Sequence, residues 1–243
     1  MKYLRLFKDY SSYDEVDETF VYPTVSFIKE DKMIEFKKRP YEFVDLKLPS
    51  GLQWAKWNVG ASKVEEVGLY FQWGETTGYP SDGKRFICDT YKYGNPTTKY
   101  NTTDGLTKIQ LEDDACHAYY NIMRTPTRAE LEELINNTTS KWVTNYNDSG
   151  INGRLLTSKH NKEELFLPCG GGVVDSAISG YNQYGYLLSS DVNTNNYNIW
   201  DIYYGSGQFA VGNISRCYGL NFRGVKNSYL FFYKKYIYRK NVN

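Results

Sequence analysis

The chain has 243 residues, 41% hydrophobic and 23% charged, with 29 Lys and Arg against 28 Asp and Glu for a net charge of +1. That apolar content excludes a disordered chain, and the balanced charge offers no electrostatic case for nucleic acid as a partner. Aromatics reach 17%, and Tyr leads with 24 copies; its ring buries while its polar tip stays wet, which suits cores and binding surfaces alike.

The opening, MKYLRLFKDYSSYDEVDETF, meets charges before an apolar run of signal-peptide length develops, so no secretion signal is expected. No stretch approaches about 20 apolar residues, so no membrane insertion is expected either. Residues 1–40 read as a leader. In YPTVSFIKEDKMIEFKK, Val25 and Phe27 on one side and Met33, Ile34 and Phe36 on the other flank a charged turn, Lys29-Glu30-Asp31-Lys32. That is the pattern of a hairpin. Two strands alone are marginal in water, so the hairpin needs a partner, and Phe27 and Phe36 are its candidate attachment and oligomerisation residues.

Next comes VDLKLPSGLQWAKWNVGAS, residues 44–62. It predicts a strand from Phe43 to Leu46, a turn at Pro49-Ser50-Gly51 and a second strand from Leu52 to Trp57. Trp54, Trp57 and Trp73 read as core. LEDDACHAYYNIM predicts a helix capped by Asp113 or Asp114, with Ala115, Tyr119 and Ile122 on one side. TPTRAELEELINN predicts a firmer helix. Thr127 and Glu130 match a capping box, and Leu131, Leu134 and Ile135 supply the apolar face. ELFLPCGGG, GYLLSSDV, YNIWDIYY and GLNFRGVKN read as short strands between Gly- and Asn-rich loops. The fold class is therefore α+β, with few helices and many short antiparallel strands. Residues 228–243 hold SYLFFYKKYIYRKN, a terminal strand with basic ends, available to a sheet edge of this chain or a neighbour.

Catalytic chemistry finds little to work with. His117 lies on a predicted helix and His160 in the charged loop TSKHNKEE. No Ser or Cys stands in a context that marks an activated nucleophile. No enzyme activity and no catalytic residues are expected. Cys88, Cys116, Cys169 and Cys217 form no CxxC pair and read as free, mostly buried thiols suited to a reducing cytosol. Asp191, Asn193 and Asn195 alternate as at the start of an EF-hand loop. Asn196 stands where Gly is needed and Ile202 where the closing Glu is needed, so neither metal nor cofactor is expected. A binding surface is the better candidate. Between Tyr181 and Phe209 lie six tyrosines, five asparagines and Trp200. Tyr and Asn on loops give large contact area and adaptable hydrogen bonding. The candidate ligand-binding residues are Tyr184, Asn195, Tyr197, Trp200 and Tyr203, with Tyr184, Asn195 and Tyr197 exposed.

The opening words of the middle part, continued by VEEVGLYFQWGETTGY, resemble the start of the Fibrobacter succinogenes major paralogous domain, a family similar to C-type-lectin-like domains. LEDDACHAYYNIMRTPTRAELEEL resembles its helix segment, LFLPCGGG its buried Leu-Pro strand, GYLLSSDVNTNNYNIWDIYY its Trp/Ser-Ser strand and RCYGLNFRGVKN its closing Arg-rich strand. The chain departs at Met123-Arg124-Thr125-Pro126, at Leu187-Leu188 where an aromatic pair is usual, and at Cys169 where a small residue is usual. The resemblance implies a C-type-lectin-like domain over residues 41–227 with two short helices and many short antiparallel strands, preceded by the N-terminal hairpin leader. A related lectin-like fold oxidises cysteine to formylglycine through a close cysteine pair; here Cys169 and Cys217 are far apart in sequence. The Glu-Pro-Asn and Trp-Asn-Asp words of sugar-binding calcium sites are missing, and IWDIYY, with Asp201 alone, is the nearest fragment.

Such a leader fused to this domain resembles virion proteins of phages of gut bacteria, crAss-like phages among them. The function implied is a non-enzymatic head-fibre, capsid-decoration or tail-fibre subunit, assembled in the host cytoplasm and carried on the virion surface. Its partners would be other virion proteins through the leader, further copies in a homo-oligomer such as a trimer, and a host surface glycan or protein. The alternative is a secreted or surface glycan-binding module of a gut bacterium.

Overall fold

The structure, a computed structural model, describes residues 41–81, 86–94, 96–175, 177–193, 195 and 197–228, and for 25–29 and 32–36 the backbone alone. Strands β1 (Val25–Lys29) and β2 (Lys32–Phe36) pair antiparallel with Val25 opposite Phe36, as the charged turn predicts. The side chains of Phe27 and Phe36, and the expected terminal strand beyond Ser228, lie outside the described residues.

The word that opens the middle part folds into β3 (Phe43–Asp45) and β4 (Leu52–Ala55), joined through the Pro-Ser-Gly turn. Gly51 takes a φ of 72°, where a side chain would be strained, and its N–H donates to the Leu48 carbonyl at 2.8 Å. Ser50 donates its N–H and its hydroxyl to Glu133, fastening the turn to a helix. On the other side of β4 runs β15 (Val225–Asn227), with Val225 opposite Trp54. The polypeptide thus enters and leaves this region through one three-stranded sheet, β15-β4-β3.

Helix α1 (Ala115–Tyr119) starts at Asp114, whose Oδ1 accepts the Cys116 N–H at 2.8 Å. Asp114 also accepts the N–H and hydroxyl of Thr125, whereas Asp113 faces Lys92, Lys99 and Tyr100 instead. Ile122 does not join the apolar face. The helix ends at Tyr119, Tyr120 turns extended, and Ile122 is 43% exposed in the turn that follows. Helix α2 (Arg128–Asn137) has the predicted capping box in full, and Arg124 forks onto the same Glu130 at 2.6 and 2.8 Å. Leu131 and Leu134 are buried, while Ile135 packs at the margin.

Antiparallel sheets cover the rest. One is β6-β7-β8 (Thr138–Val143, Gly153–Ser158, Glu164–Pro168) and another is β11-β12-β13 (Tyr184–Val192, Asn198–Gly205, Phe209–Ser215). Small ladders join β9 (Gly172–Val174) to β10 (Ala177–Ser179), and β5 (Tyr70–Phe71) to β14 (Leu220–Asn221). Two main cores result. An aliphatic one holds Trp54 among Leu131, Leu134, Leu156, Leu167, Leu187 and Ile202. An aromatic one stacks Phe71, Trp73, Tyr93, Tyr100, Tyr119 and Phe222, largely edge to face. Trp57 and Trp73 are buried as expected. Trp54 is fully buried and its indole N–H has no acceptor, so it stabilises by packing alone. Trp54→Ala should cost about 3–5 kcal/mol, read as a lowered midpoint in urea; a parental midpoint would place the ring outside the core.

Two features hold the irregular loops. Arg154, Arg216 and Arg223 are buried and donate chiefly to backbone carbonyls: Gly205, Ser206 and Gln208 for Arg154, Lys99 and Tyr100 for Arg216, and Ala55, Lys56 and Phe166 for Arg223. The second feature corrects the expectation of four free thiols. Cys88 and Cys217 are disulfide-bonded across 129 residues, and only Cys116 and Cys169 are free and buried. Packing brings the two loops together: Gln72 donates through Nε2 to the Cys217 carbonyl at 2.6 Å and to the Ile87 carbonyl at 3.4 Å.

Candidate functional site

The β11-β12-β13 sheet carries the candidate surface. Its register sets two faces. One face sends Leu187, Ile202 and Tyr204 into the aliphatic core. The other face reads in rows: Tyr184 beside Gly205, then Tyr186, Tyr203 and Ala210, then Leu188, Asp201 and Gly212. Leu188, Ile199 and Ile214 close the far end of that face into the aromatic core. The near end stays half-open, with Tyr184, Tyr186 and Tyr203 each partly exposed.

The three rings touch one another. Centroids lie 5.4 Å apart for Tyr186 and Tyr203, 5.6 Å for Tyr184 and Tyr203, and 5.9 Å for Tyr184 and Tyr186. Tyr184 also shares a 2.8 Å hydroxyl hydrogen bond with Ser179. Its ring fills the space over Gly180, where a Cβ would collide with the ring and where φ is +70°. Only glycine fits there. Burial pushes the Tyr186 hydroxyl up, reinforced by Tyr184, Tyr203, Asp201 and Tyr218.

Asp201 lies at the inner edge of this cluster. It is 1% exposed, and neither carboxylate oxygen accepts a hydrogen bond from another residue; only its own backbone N–H acts on it. The carboxylate leans over Gly212, where a Cβ would sit 3.0 Å from Oδ1. Burial pushes its pKa up to about 7. A lone acid between apolar neighbours, Trp200 and Ile202, was its signal in the sequence; the strand register that sets it beside Tyr186 was not legible there.

The five predicted ligand-binding residues do not form one site. Tyr184 and Tyr203 belong to the cluster. Trp200 points to the other face of the sheet, where the Arg128 guanidinium stacks 3.7 Å from its ring centroid. Tyr197, 47% exposed, and exposed Asn195 lie in the β11–β12 turn. The Asn195 side chain accepts the N–H groups of Tyr197 and Asn198, and Asp191 accepts the Arg128 N–H at 2.6 Å. The alternating Asp-Asn-Asn side chains thus serve their own turn and the start of α2. Among the described residues no three of His, Cys, Asp or Glu come together as a metal set. Cys169 has no disulfide and Cys217 is bound to Cys88, so the two do not form a reactive pair. Two open grooves lie elsewhere: one of about 420 Å³ between Val44, Lys56, Tyr146 and Phe166, and one of about 340 Å³ at Gln72, Glu75, Tyr79 and Phe86.

The fold defines an α+β protein of small antiparallel sheets with two short α-helices among the described residues. Comparison with protein-family models, curated proteins and solved structures finds no match.

Proposed function

We propose that this chain is a non-enzymatic virion protein of a phage of gut bacteria, a head-fibre, capsid-decoration or tail-fibre subunit. Its domain over 41–227 is of the C-type-lectin-like kind and serves adhesion. The sequence words that resemble the Fibrobacter succinogenes major paralogous domain motivate the family. The observation that carries the functional reading is the arrangement of ends and face. The chain enters and leaves through β15-β4-β3, while a separate sheet offers a half-open tyrosine face. Such a division suits a module attached through its ends and presenting another surface. The leader then anchors the subunit to other virion proteins and to further copies in a homo-oligomer, on the virion surface.

The test compares the full chain with one beginning at Arg39. The shortened chain should fold, with an unchanged melting profile, but fail to oligomerise or to enter particles when supplied during infection. Normal incorporation, measured by mass spectrometry of purified particles, would show that the leader is not the anchor. A second reading, a secreted or surface glycan-binding module of a bacterium, is favoured by the Cys88–Cys217 disulfide, because such bonds persist in oxidising surroundings.

A further inference from the structure

A tight turn follows β5. Residues 72–75, Gln-Trp-Gly-Glu, close through the Glu75 N–H, which donates to the Gln72 carbonyl at 3.0 Å. Gly74 takes a φ of +87°, and a Cβ there would meet the Tyr93 ring, so the third position of the turn needs glycine. Trp73 pins the turn: its indole is buried and donates to the Ser189 carbonyl at 3.0 Å. Such a turn brings its first and fourth residues close together. Here they are Gln72 and Glu75, and both line the open groove of about 340 Å³.

Both present acceptors that lack donors. Gln72 is 8% exposed, and its Nε2 donates to the Cys217 and Ile87 carbonyls. Those bonds fix the carboxamide and turn its Oε1 the other way. Oε1 accepts no hydrogen bond among the described residues and is not one of the sealed, unpartnered atoms of the interior, so it opens onto the groove. The Glu75 carboxylate has neither a hydrogen bond nor an ion pair among the described residues. Lys92, the cation that acts on it, is committed to Asp113 at 2.8 Å and to the Gly74 carbonyl at 3.2 Å. Burial, reinforced by Asp113, pushes the Glu75 carboxyl up against the pull of Lys92, as expected of a carboxylate short of donors. Thr77 adds an exposed hydroxyl, and the half-exposed Tyr79 ring, edge to face on Phe86 with centroids 6.1 Å apart, gives the groove an aromatic lining.

This lining selects a ligand. A fixed carboxamide oxygen and an unpaired carboxylate, close together, call for a positive group with several N–H donors in one plane. A guanidinium is planar, forks onto acceptors and stacks on rings, whereas an ammonium is a strongly hydrated point charge. We infer that this groove is an acceptor site for an arginine side chain of a partner protein, with Glu75 and the Gln72 carboxamide oxygen receiving the guanidinium and Tyr79 lining its approach. The inference rests on the reading of the chain as an adhesion protein and names what it would meet: a protein surface with a projecting arginine.

The probe is N-acetyl-arginine methylamide, titrated into the full chain at low ionic strength and followed by NMR of the backbone amides of residues 75–79. Its citrulline counterpart has the same shape without the charge. The arginine compound should give saturable shifts, and the citrulline compound should bind roughly tenfold more weakly or worse, the worth of a charge-assisted hydrogen bond. Glu75→Gln keeps the length of the side chain and should weaken binding by roughly tenfold at an unchanged melting temperature. Tyr79→Leu, with Glu75 intact, should weaken it as well. Absence of binding, indifference to Glu75→Gln, or equal binding of the lysine or citrulline counterpart overturns the inference. Lys84 and Arg85 adjoin Phe86 in sequence and lie outside the described residues. If binding appears only after Lys84→Ala with Arg85→Ala, the chain's own cations fill the groove and the partner falls. Tighter binding of free arginine than of the blocked compound would make the ligand a small metabolite and overturn the protein partner. Particle incorporation of the full chain tests the adhesion reading separately, because it does not read the groove.

Discussion

Replacing Arg223 with Ala should strongly destabilise the folded protein. The guanidinium is 1% exposed and donates to Asn58 Oδ1 at 2.7 Å, to the Ala55 and Lys56 carbonyls at 3.0 and 2.7 Å, and to the Phe166 carbonyl at 3.2 Å. Those acceptors belong to the end of β4 with the segment after it and to β8, which no ladder joins. Among the described residues no carboxylate pairs with it, so carbonyl dipoles hold the charge, and burial lowers its pKa to about 10. It stays charged at neutral pH. Truncation leaves four buried acceptors dry, at about 1–3 kcal/mol each, and adds a cavity. Even the low end approaches a domain's whole stability of about 5–15 kcal/mol. Arg223→Lys should fail nearly as badly, because an ammonium cannot span a planar fork of partners. Soluble yield and thermal melting decide it: a drop on the order of 10 °C or more is expected, and a parental melt would show that the carbonyls find other donors.

The same arginine marks the limit of what the sequence discloses. Arg223 stands in an apolar word, GLNFRGVKN, with no acid near it in sequence. Its partners lie 57 to 168 residues away and are chiefly backbone atoms, which carry no sequence signature. Local devices were legible. Thr127 and Glu130 are three residues apart, so their capping box forms within one turn whatever surrounds it. Trp54 on an alternating strand went to the core for the same reason, since its neighbours fix the face it shows. Ile122 failed because the helix carrying it stops at Tyr119, before its turn. In the candidate site, composition pointed to the strands that carry the touching tyrosines. It could not separate Trp200 from Tyr203, because an odd spacing on a strand puts two side chains on opposite faces and only the observed pairing says which face is open. Asn195 shows the other ambiguity: a carboxamide in a loop serves a ligand or its own turn, and here it serves the turn.

Breaking the Cys88–Cys217 bond should produce the second large effect, and a different kind of one. The bond closes a loop of 129 residues. Removing that constraint frees the unfolded chain by about 5 kcal/mol in the chain-entropy account. The folded state loses little, since Gln72 still donates to the carbonyls of Ile87 and Cys217 on the two loops. The reduced protein should therefore remain native in the absence of denaturant but unfold at a lower urea concentration. Its dependence on urea should steepen, because a freer unfolded chain exposes more surface. Arg223→Ala acts on the folded state and should leave that slope alone, so the two defects are separable in one experiment. Cys88→Ser with Cys217→Ser should reproduce the effect of reductant, and reductant should then do nothing further, because Cys116 and Cys169 form no disulfide. If the double variant unfolds at the parental midpoint, the bond contributes nothing to stability. If it behaves as expected, a chain made in a reducing cytosol gains its full stability only on reaching an oxidising medium. On the proposed reading of a subunit assembled inside a cell and exposed outside it, that would place the firmest form of the loops on the exposed side.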